Sequence, residues 1–362
     1  MKTSAFISLY VSVLSALNIV PTAVTARPMH AGIDYQRYLA EKEATHAEWK
    51  AWEEKHGANA MKLGLIPTSE ERSSVDYEED MRQRIFLSKQ DVERAHAANP
   101  DANFSIDVVY SIMTKEEFAT KIMNSFATGN ATITRLSSRN STHKSTTEAA
   151  TVTQTVDWTR SACMSPIQNQ GQCGDCWAFA AAAAVESAQC IAGGQKSLHK
   201  FSEQQLVSCN TQNRGCSGGA PQYAFDYILM QGGLCTEAVF PYASVEGHTP
   251  SCISCIDTQT GVKGYKVLDE GDEAGLIEAI NERPTVVTVA AGNEAWKQYV
   301  GGVLSSCDTS KLDHLVVAVG YDATSLKIRN SWGDKWGEDG YIRLKRGSDT
   351  CSVLQQMVPL EV

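Results

Sequence analysis

The stretch Gln170-Gly-Gln-Cys-Gly-Asp-Cys-Trp-Ala-Phe179 places two cysteines three residues apart and runs into the alanine-rich segment Ala178 to Ala184. Alanine is the strongest helix former, so a helix is expected to begin here with Cys176 at its N-terminus. Unpaired N–H groups and the positive end of the helix dipole favour a thiolate at such a position, and the thiolate is the reactive form of cysteine. A nucleophile is therefore one reading of Cys176. A disulfide half, a redox pair with Cys173 and a metal ligand are the others. A nucleophile needs a base, and histidine titrates in the right range. His30, His46, His56, His96 and His143 precede the cysteine-rich part of the chain, while His199 and His248 sit in polar, loop-like contexts. His314 lies in Leu312-Asp-His-Leu-Val-Val-Ala-Val-Gly-Tyr321, at the head of an apolar run. A strand there would be a rigid support for a catalytic group. A base in turn needs an orienter. Asn330 opens Asn-Ser-Trp-Gly-Asp-Lys-Trp-Gly337 and offers an amide, with Trp332 able to shield that bond from water. The Gln170 side chain and the Cys176 backbone N–H are candidate donors to an oxyanion.

The elements that must position these groups follow from composition. The chain has 362 residues, 43% apolar and 20% charged, which describes a globular protein of more than one unit. A net charge of -10 without any Lys/Arg cluster argues against a nucleic-acid partner. None of the eleven cysteines precedes Cys163. Such a count suits an oxidising compartment, and its one-sided placement divides the chain into parts with different fates. The odd total leaves at least one thiol unpaired.

Residues 1–26 read as a signal peptide, with Lys2, a mostly apolar Ala5 to Val20 and the small residues Val24-Thr25-Ala26 at the cleavage position. Ser8, Ser12, Ser15 and Asn18 interrupt the apolar run, so it is not a membrane span. Residues 27–152 form a cysteine-free segment rich in helix signals. Trp49, Trp52 and His56 share one helical face. A second helix is expected over Asp76 to Ala98, with Ile85, Val92 and Ala95 inward. Asn103 to Tyr110 alternates like a strand, and Thr114-Lys-Glu-Glu117 is a capping-box pattern. Residues 124–152 are polar and small, an exposed and cleavable linker. Asn103, Asn130 and Asn140 occupy glycosylation sequons. Residues 153–362 form the body. Helix signals at Ser202 to Leu206 and Ala220 to Met230 precede strand patterns at Val286 to Ala290, His314 to Val319, Ser325 to Ile328 and Gly340 to Leu344. Helices followed by strands suggest α+β. No second Cys/His set with zinc spacing follows Cys173 and Cys176, so neither a metal nor a cofactor is expected.

Taken together, Gln170 to Phe179, Leu312 to Tyr321 and Asn330 to Gly337, continuing into Gly340-Tyr-Ile-Arg-Leu344, resemble the papain family of cysteine proteases, cathepsin L-like branch. The resemblance covers the body and, more weakly, the preceding segment. It implies a papain-like two-subdomain fold, a helical left part and a β-barrel-like right part, preceded by a helical, inhibitory propeptide. It also implies a cysteine endopeptidase zymogen acting through a thioester, with Cys176 as nucleophile, His314 as acid and base, Asn330 as orienter and Gln170 as oxyanion donor. Gly218 and Gly219 match the segment whose backbone pairs with extended substrate. Ala220, Pro221 and Leu312, with residues near Gln355, imply an apolar second pocket, and Asp313 and Trp332 flank the site. The disulfides implied by the family are Cys173–Cys216, Cys209–Cys252, Cys235–Cys255 and Cys307–Cys351, which leaves Cys163 with Cys190. The partners are then protein or peptide substrates and the chain's own propeptide. The protein is expected to be monomeric, and secreted or delivered to a lysosome- or vacuole-like compartment. A catalytically silent papain-like peptide-binding protein is the alternative.

The sequence departs from the family pattern at three places. Asp175 stands where Ser or Ala is usual, so a carboxylate would raise the Cys176 pKa or face solvent. In the pro-segment Glu78, Arg82 and Phe86 match the usual second-helix motif, but Lys89 replaces its asparagine. Ile112 replaces an acidic residue, from which maturation with weak pH dependence is expected.

Overall fold

The computed structural model describes residues 29–67, 73–123 and 155–362. The expected signal peptide and linker, with the sequons at Asn130 and Asn140, lie outside these residues. Asn103 is exposed.

The segment before the body begins with α1 (Tyr35–Lys62), whose cap Asp34 accepts from the Arg37 N–H, and α2 (Ser74–Ala98), capped by Ser73. Capping side chains satisfy N–H groups that a helix start leaves orphaned. Trp49, Trp52, Ile85 and Ala95 are buried between these helices and the body, and the Trp52 indole donates to the Val108 carbonyl at 2.8 Å. His56 lies at that edge, bonded to Asp107. The chain then forms β1 (Ala102–Phe104) and α3 (Lys115–Glu117), the latter opened by a complete capping box at Thr114.

The strand expected over residues 103–110 is shorter than its alternation suggests. It ends at Phe104, and Val109–Ile112 form a 3-10 turn. The Ser105 N–H leaves the ladder for the Gln298 carbonyl. Val108, Val109, Tyr110, Ser111 and Ile112 are then buried in succession. A helical turn wedged among three helices can do this, whereas a strand with one wet face cannot.

The body opens with β2 (Val156–Asp157) and α4 (Cys176–Ala192). Fourteen of the seventeen α4 residues are buried, which makes it the central helix of its half. Around it lie α5 (Glu203–Cys209), α6 (Pro221–Gln231) and the short ladders β3 (Gly233–Leu234) with β4 (Thr258–Gln259) and β5 (Gly264–Tyr265) with the C-terminal strand. The second half contains α7 (Glu273–Glu282), β6 (Thr285–Val289), α8 (Glu294–Gln298), β7 (Tyr299–Leu304), β8 (His314–Tyr321), β9 (Ser325–Arg329), β10 (Tyr341–Lys345), β11 (Met357–Val358) and β12 (Leu360–Glu361). The strands run β1-β7-β10-β9-β8-β6-β11, with β2 paired to β8. Among the described residues the barrel-like half is an unclosed sheet, with β1 and β11 at opposite ends. The β7 edge is covered by β1 from the pro-segment, antiparallel with Ala102 opposite Gly302. An unpaired edge would otherwise invite other strands.

Strand β8 joins the two cores. Leu315, Val317 and Val319 pack with α4, while Val316 and Ala318 face the core shared by the sheet and the pro-segment. The period-2 alternation of a strand sends successive side chains to opposite faces. Bridges link Cys163 to Cys190, Cys173 to Cys216, Cys209 to Cys252, Cys235 to Cys255 and Cys307 to Cys351. Cys176 alone stands outside them, and it is buried.

Candidate active site

Cys176 is the first residue of α4 and His314 the first residue of β8. Packing of this helix on this strand brings the two starts together. The Leu315 N–H points at the Cys176 sulfur from 3.3 Å, so the thiol lies against the main chain next to His314. The His314 Nε2 is 2.7 Å from Asn330 Oδ1. That oxygen also accepts from the Ser331 N–H at 2.8 Å, which fixes the amide with its oxygen toward the ring. His314 Nε2 therefore carries a hydrogen, and in the neutral ring Nδ1 holds a lone pair. Nδ1 is buried and has no hydrogen-bond partner. Trp332 stacks on the imidazole, with centroids 4.9 Å apart, and covers its bond to Asn330. Burial pushes the His314 pKa down to about 4, with the Asn330 hydrogen bond opposing it. In this closed form the ring is neutral at ordinary pH.

Gln170 is fully buried beside this pair. Its Nε2 donates to the Cys173 carbonyl at 2.9 Å and its Oε1 accepts from the Ser331 hydroxyl at 2.6 Å. Two anchors orient the amide, and one of its two hydrogens is left for a substrate oxygen. The disulfide from Cys173 to Cys216 pins the same loop. Asp175 neither faces solvent nor caps α4: it is fully buried and makes no side-chain bond to the helix start.

Residues 152–360, more than half of the chain, match the model of the papain family of cysteine proteases. The chain belongs to the papain family of cysteine proteases. As a member it is a cysteine-type endopeptidase, a hydrolase in zymogen form. It is 33% identical over 302 residues to cysteine proteinase COT44 of Brassica napus, across 82% of this chain and 88% of that one. Among solved structures it is similar to the proform of the ragweed pollen cysteine protease Amb a 11, at a TM-score of 0.71 and 27% identity over 90% of this chain and 87% of that one. It is also similar to the Carica candamarcensis cysteine protease CMS1MS2 solved with E-64, at a TM-score of 0.53 and 35% identity over 57% of this chain and 97% of that one.

In this papain-family precursor the other predicted residues are placed as follows. Gly218 has φ 104°, a conformation that suits glycine. A Cβ at Gly219 would come within 2.5 Å of Asn213 Oδ1 and 2.8 Å of the Trp177 ring. Asn213 holds this loop by accepting from the Ala220 N–H at 2.8 Å and donating to the Ala220 carbonyl at 3.2 Å. Pro221 starts α6, with Ala220 half-buried before it. Leu312 is half-buried at the approach to β8. The Asp313 carboxyl accepts from the N–H groups of Ala291 at 2.7 Å and Gly292 at 3.1 Å. Burial raises its pKa to about 6 against those bonds. Gln355 donates to Asp349 Oδ2 at 2.6 Å in a nearby turn. Tyr110 and Phe118 of the pro-segment meet the Trp332 ring edge-to-face, at 5.7 and 5.4 Å.

Three contributors escaped the sequence reading. Ser331 has a visible signal, since it follows Asn330 within one motif. The Leu315 N–H has none, because any residue there supplies one. Tyr242, whose hydroxyl meets both Gln170 and Asp175, lies in a loop distant in sequence from both.

Proposed function

We propose that this chain is a secreted or lysosome-like precursor which, once its pro-segment is removed, cleaves peptide bonds through a thioester on Cys176. The observation that carries this reading is the state of His314. One ring nitrogen is held by Asn330, and the other is a bare lone pair in the pocket that holds Cys176. Nδ1 takes the thiol proton, giving a thiolate and an imidazolium. Sulfur attacks the peptide carbonyl carbon, and the carbonyl oxygen becomes an oxyanion facing the free Gln170 hydrogen and the Cys176 N–H. Such donors stabilise charge where it develops. The imidazolium protonates the departing amine and the C–N bond breaks, leaving a thioester. Water then attacks with His314 again as base, and the acid product leaves. In the closed precursor burial disfavours the imidazolium, so uncovering the site restores the pair.

The apolar side chains of Ala220, Pro221 and Leu312 support a preference for an apolar residue next to the cleaved one. The start of the sequence, Lys2 through Ala26, supports entry into the secretory route, and self-inhibition by the pro-segment fits its packing on Trp332. No described helix is long and apolar enough to cross a membrane. The protein is proposed to act as a monomer.

The test is Cys176→Ser, with activity followed on a peptide library. Activity is expected to disappear, and the wild-type enzyme to prefer an apolar residue at the second position. Undiminished activity in the variant rejects the reading. Counting thiols in the mature protein separates it from a redox or metal pair: one free thiol is expected, against two for the pair.

A further inference from the structure

Asp175 is a carboxyl that the chemistry above does not use. It sits between the disulfide-bonded Cys173 and Cys176, fully buried at the start of α4. A carboxylate at a helix start ordinarily accepts from the first-turn N–H groups. This one does not. Its Oδ1 has no hydrogen-bond partner, and its Oδ2 lies 2.8 Å from the Tyr242 hydroxyl oxygen. The same hydroxyl lies 2.7 Å from the Gln170 carbonyl oxygen.

These two distances decide the proton count. Each oxygen–oxygen contact is too short to lack a hydrogen. Tyr242 has one hydroxyl hydrogen, and the Gln170 carbonyl can only accept. One hydrogen cannot serve both contacts at full strength, so with the hydroxyl hydrogen on the Gln170 carbonyl a second one on Asp175 completes both bonds. The surroundings agree. The sulfurs of Cys173 and Cys216 lie within 4.8 Å of an Asp175 oxygen and offer no charge. The Phe179 ring packs edge-on against Tyr242 at 4.9 Å. The charged groups facing this pair are Glu203 and, toward Tyr242, Glu237, both acidic. The cation of that cluster, Lys200, is bonded to Glu186 and Glu203. Burial raises the Asp175 pKa well above the carboxylate range, the Tyr242 hydroxyl and Asp175's own main-chain N–H opposing it and Glu203 adding to it.

We propose that Asp175 is a neutral carboxylic acid in the folded enzyme, donating to Tyr242, which donates to the Gln170 main-chain carbonyl. The relay ties the residue before the nucleophile to the residue that carries the oxyanion donor. Asp175 and Tyr242 are thus positioning residues. The relay also lets an acidic residue stand beside the thiol without placing a negative charge there. This rests on Cys176 being the nucleophile, and the experiment keeps the two claims apart.

The test follows the rate of Cys176 alkylation by iodoacetamide against pH in mature wild type, D175N, D175A, Y242F and C176S. Asparagine keeps the shape, and its Nδ2–H₂ can donate to Tyr242 in place of the acid. D175N is expected to leave the alkylation profile in place and to retain more kcat than D175A. Were Asp175 ionised, D175N would remove a neighbouring negative charge and move the profile down by about one unit or more, which overturns the proposal. Infrared spectra of wild type minus D175N at neutral pH are expected to contain a protonated-carboxyl band, and its absence also overturns it. Y242F and D175A are expected to lose about tenfold in kcat with little change in KM, as for an interaction felt in the transition state. Unchanged kcat in both sinks the positioning role. Melting temperatures identify any variant that simply misfolds, and D175N remains decisive in that event. Alkylation of C176S at the wild-type rate would reject the nucleophile assignment itself, whatever Asp175 does.

Discussion

The helical half of the body and the pro-segment are held in opposite ways. Four of the five disulfides lie between Cys163 and Cys255, and one of them pins the loop that bears Gln170 and Cys176. The pro-segment has no cysteine. It grips the body through the three-residue strand β1, a buried Lys297–Asp91 pair at 3.1 Å, and Arg94 and Lys115 on Glu294. Asn99 Oδ1 also accepts from the Ser305 and Ser306 N–H groups. Covalent bonds are indifferent to acid, whereas carboxylate pairs are not. The pro-segment can therefore be released by conditions that leave the site rigid.

Breaking the covalent side of this contrast is expected to have the largest effect. Replacing Cys173 and Cys216 together by serine opens a closure with a sequence separation of 43. Chain entropy puts the loss at about 4 kcal/mol, read as a lower denaturant midpoint of the mature enzyme. A loss under about 1 kcal/mol would mean that the loop is held by its hydrogen bonds alone.

Next comes Lys297→Met. The ammonium is buried against Asp91 and Ser88. Burial lowers its pKa and Asp91 opposes that. Removing one partner of a buried pair costs about 3 kcal/mol, at the low end because Arg94 still holds the other Asp91 oxygen. The variant precursor is expected to mature faster at neutral pH while the mature enzyme keeps its melting temperature. Slower maturation would show that this pair does not hold the pro-segment.

The pH dependence sharpens the same contrast and revises the expectation drawn from Ile112. That residue is fully buried, and the arginine beside it has found other acids. Arg84 donates to the Ile112 carbonyl at 3.1 Å and to Glu117 at 2.9 Å, and it pairs with Asp80. Burial pushes Glu117 up, but Arg84 outweighs it and leaves the carboxyl below its ordinary range. Glu294 follows the same pattern, with Lys115 and Arg94 outweighing burial. Glu294 binds protons more weakly when Lys115 and Arg94 of the pro-segment are docked on it, so its stabilisation of docking is present above the ordinary carboxylate range and is lost as pH falls through the lowered pKa. Glu117 with Arg84 does the same for the fold of the pro-segment itself. Self-processing is expected to accelerate as pH drops toward 4, and E294Q to flatten part of that rise by less than about 1 kcal/mol, its partners being half exposed. A flat profile in the wild type would restore the simpler expectation from Ile112.

The smallest effect is expected at the pro-segment's surface. Lys55 pairs with Asp107 with both side chains more than half exposed. Lys55→Ala is expected to leave the maturation rate unchanged, and a clear change would mean that the exposed face contributes more than such pairs usually do.

Much of this was legible in the chain. The alanine run after Cys176, the apolar run after His314 and the glycine and tryptophan turn after Asn330 each signal an element locally, and α4, β8 and the turn follow. What was hidden depends on contacts between distant residues. Alternation at 103–110 could not reveal that Gln298 takes the Ser105 N–H and ends the strand. Nothing near Asp313 in sequence shows that its carboxyl is taken up by the Ala291 and Gly292 N–H groups. The residue at Ile112 looked like a lost acid because nothing in sequence shows Arg84 meeting Glu117. Asp175 drew notice as a departure, but its role rests on Tyr242, 67 positions away.

The most direct test of the central claim is a titration of the mature enzyme with a substoichiometric series of iodoacetamide at neutral pH, with the labelled site mapped by mass spectrometry. The account predicts the label on Cys176 alone, with activity falling in proportion to the fraction of molecules labelled there. Full activity in molecules labelled at Cys176, or loss that tracks another cysteine, would contradict it.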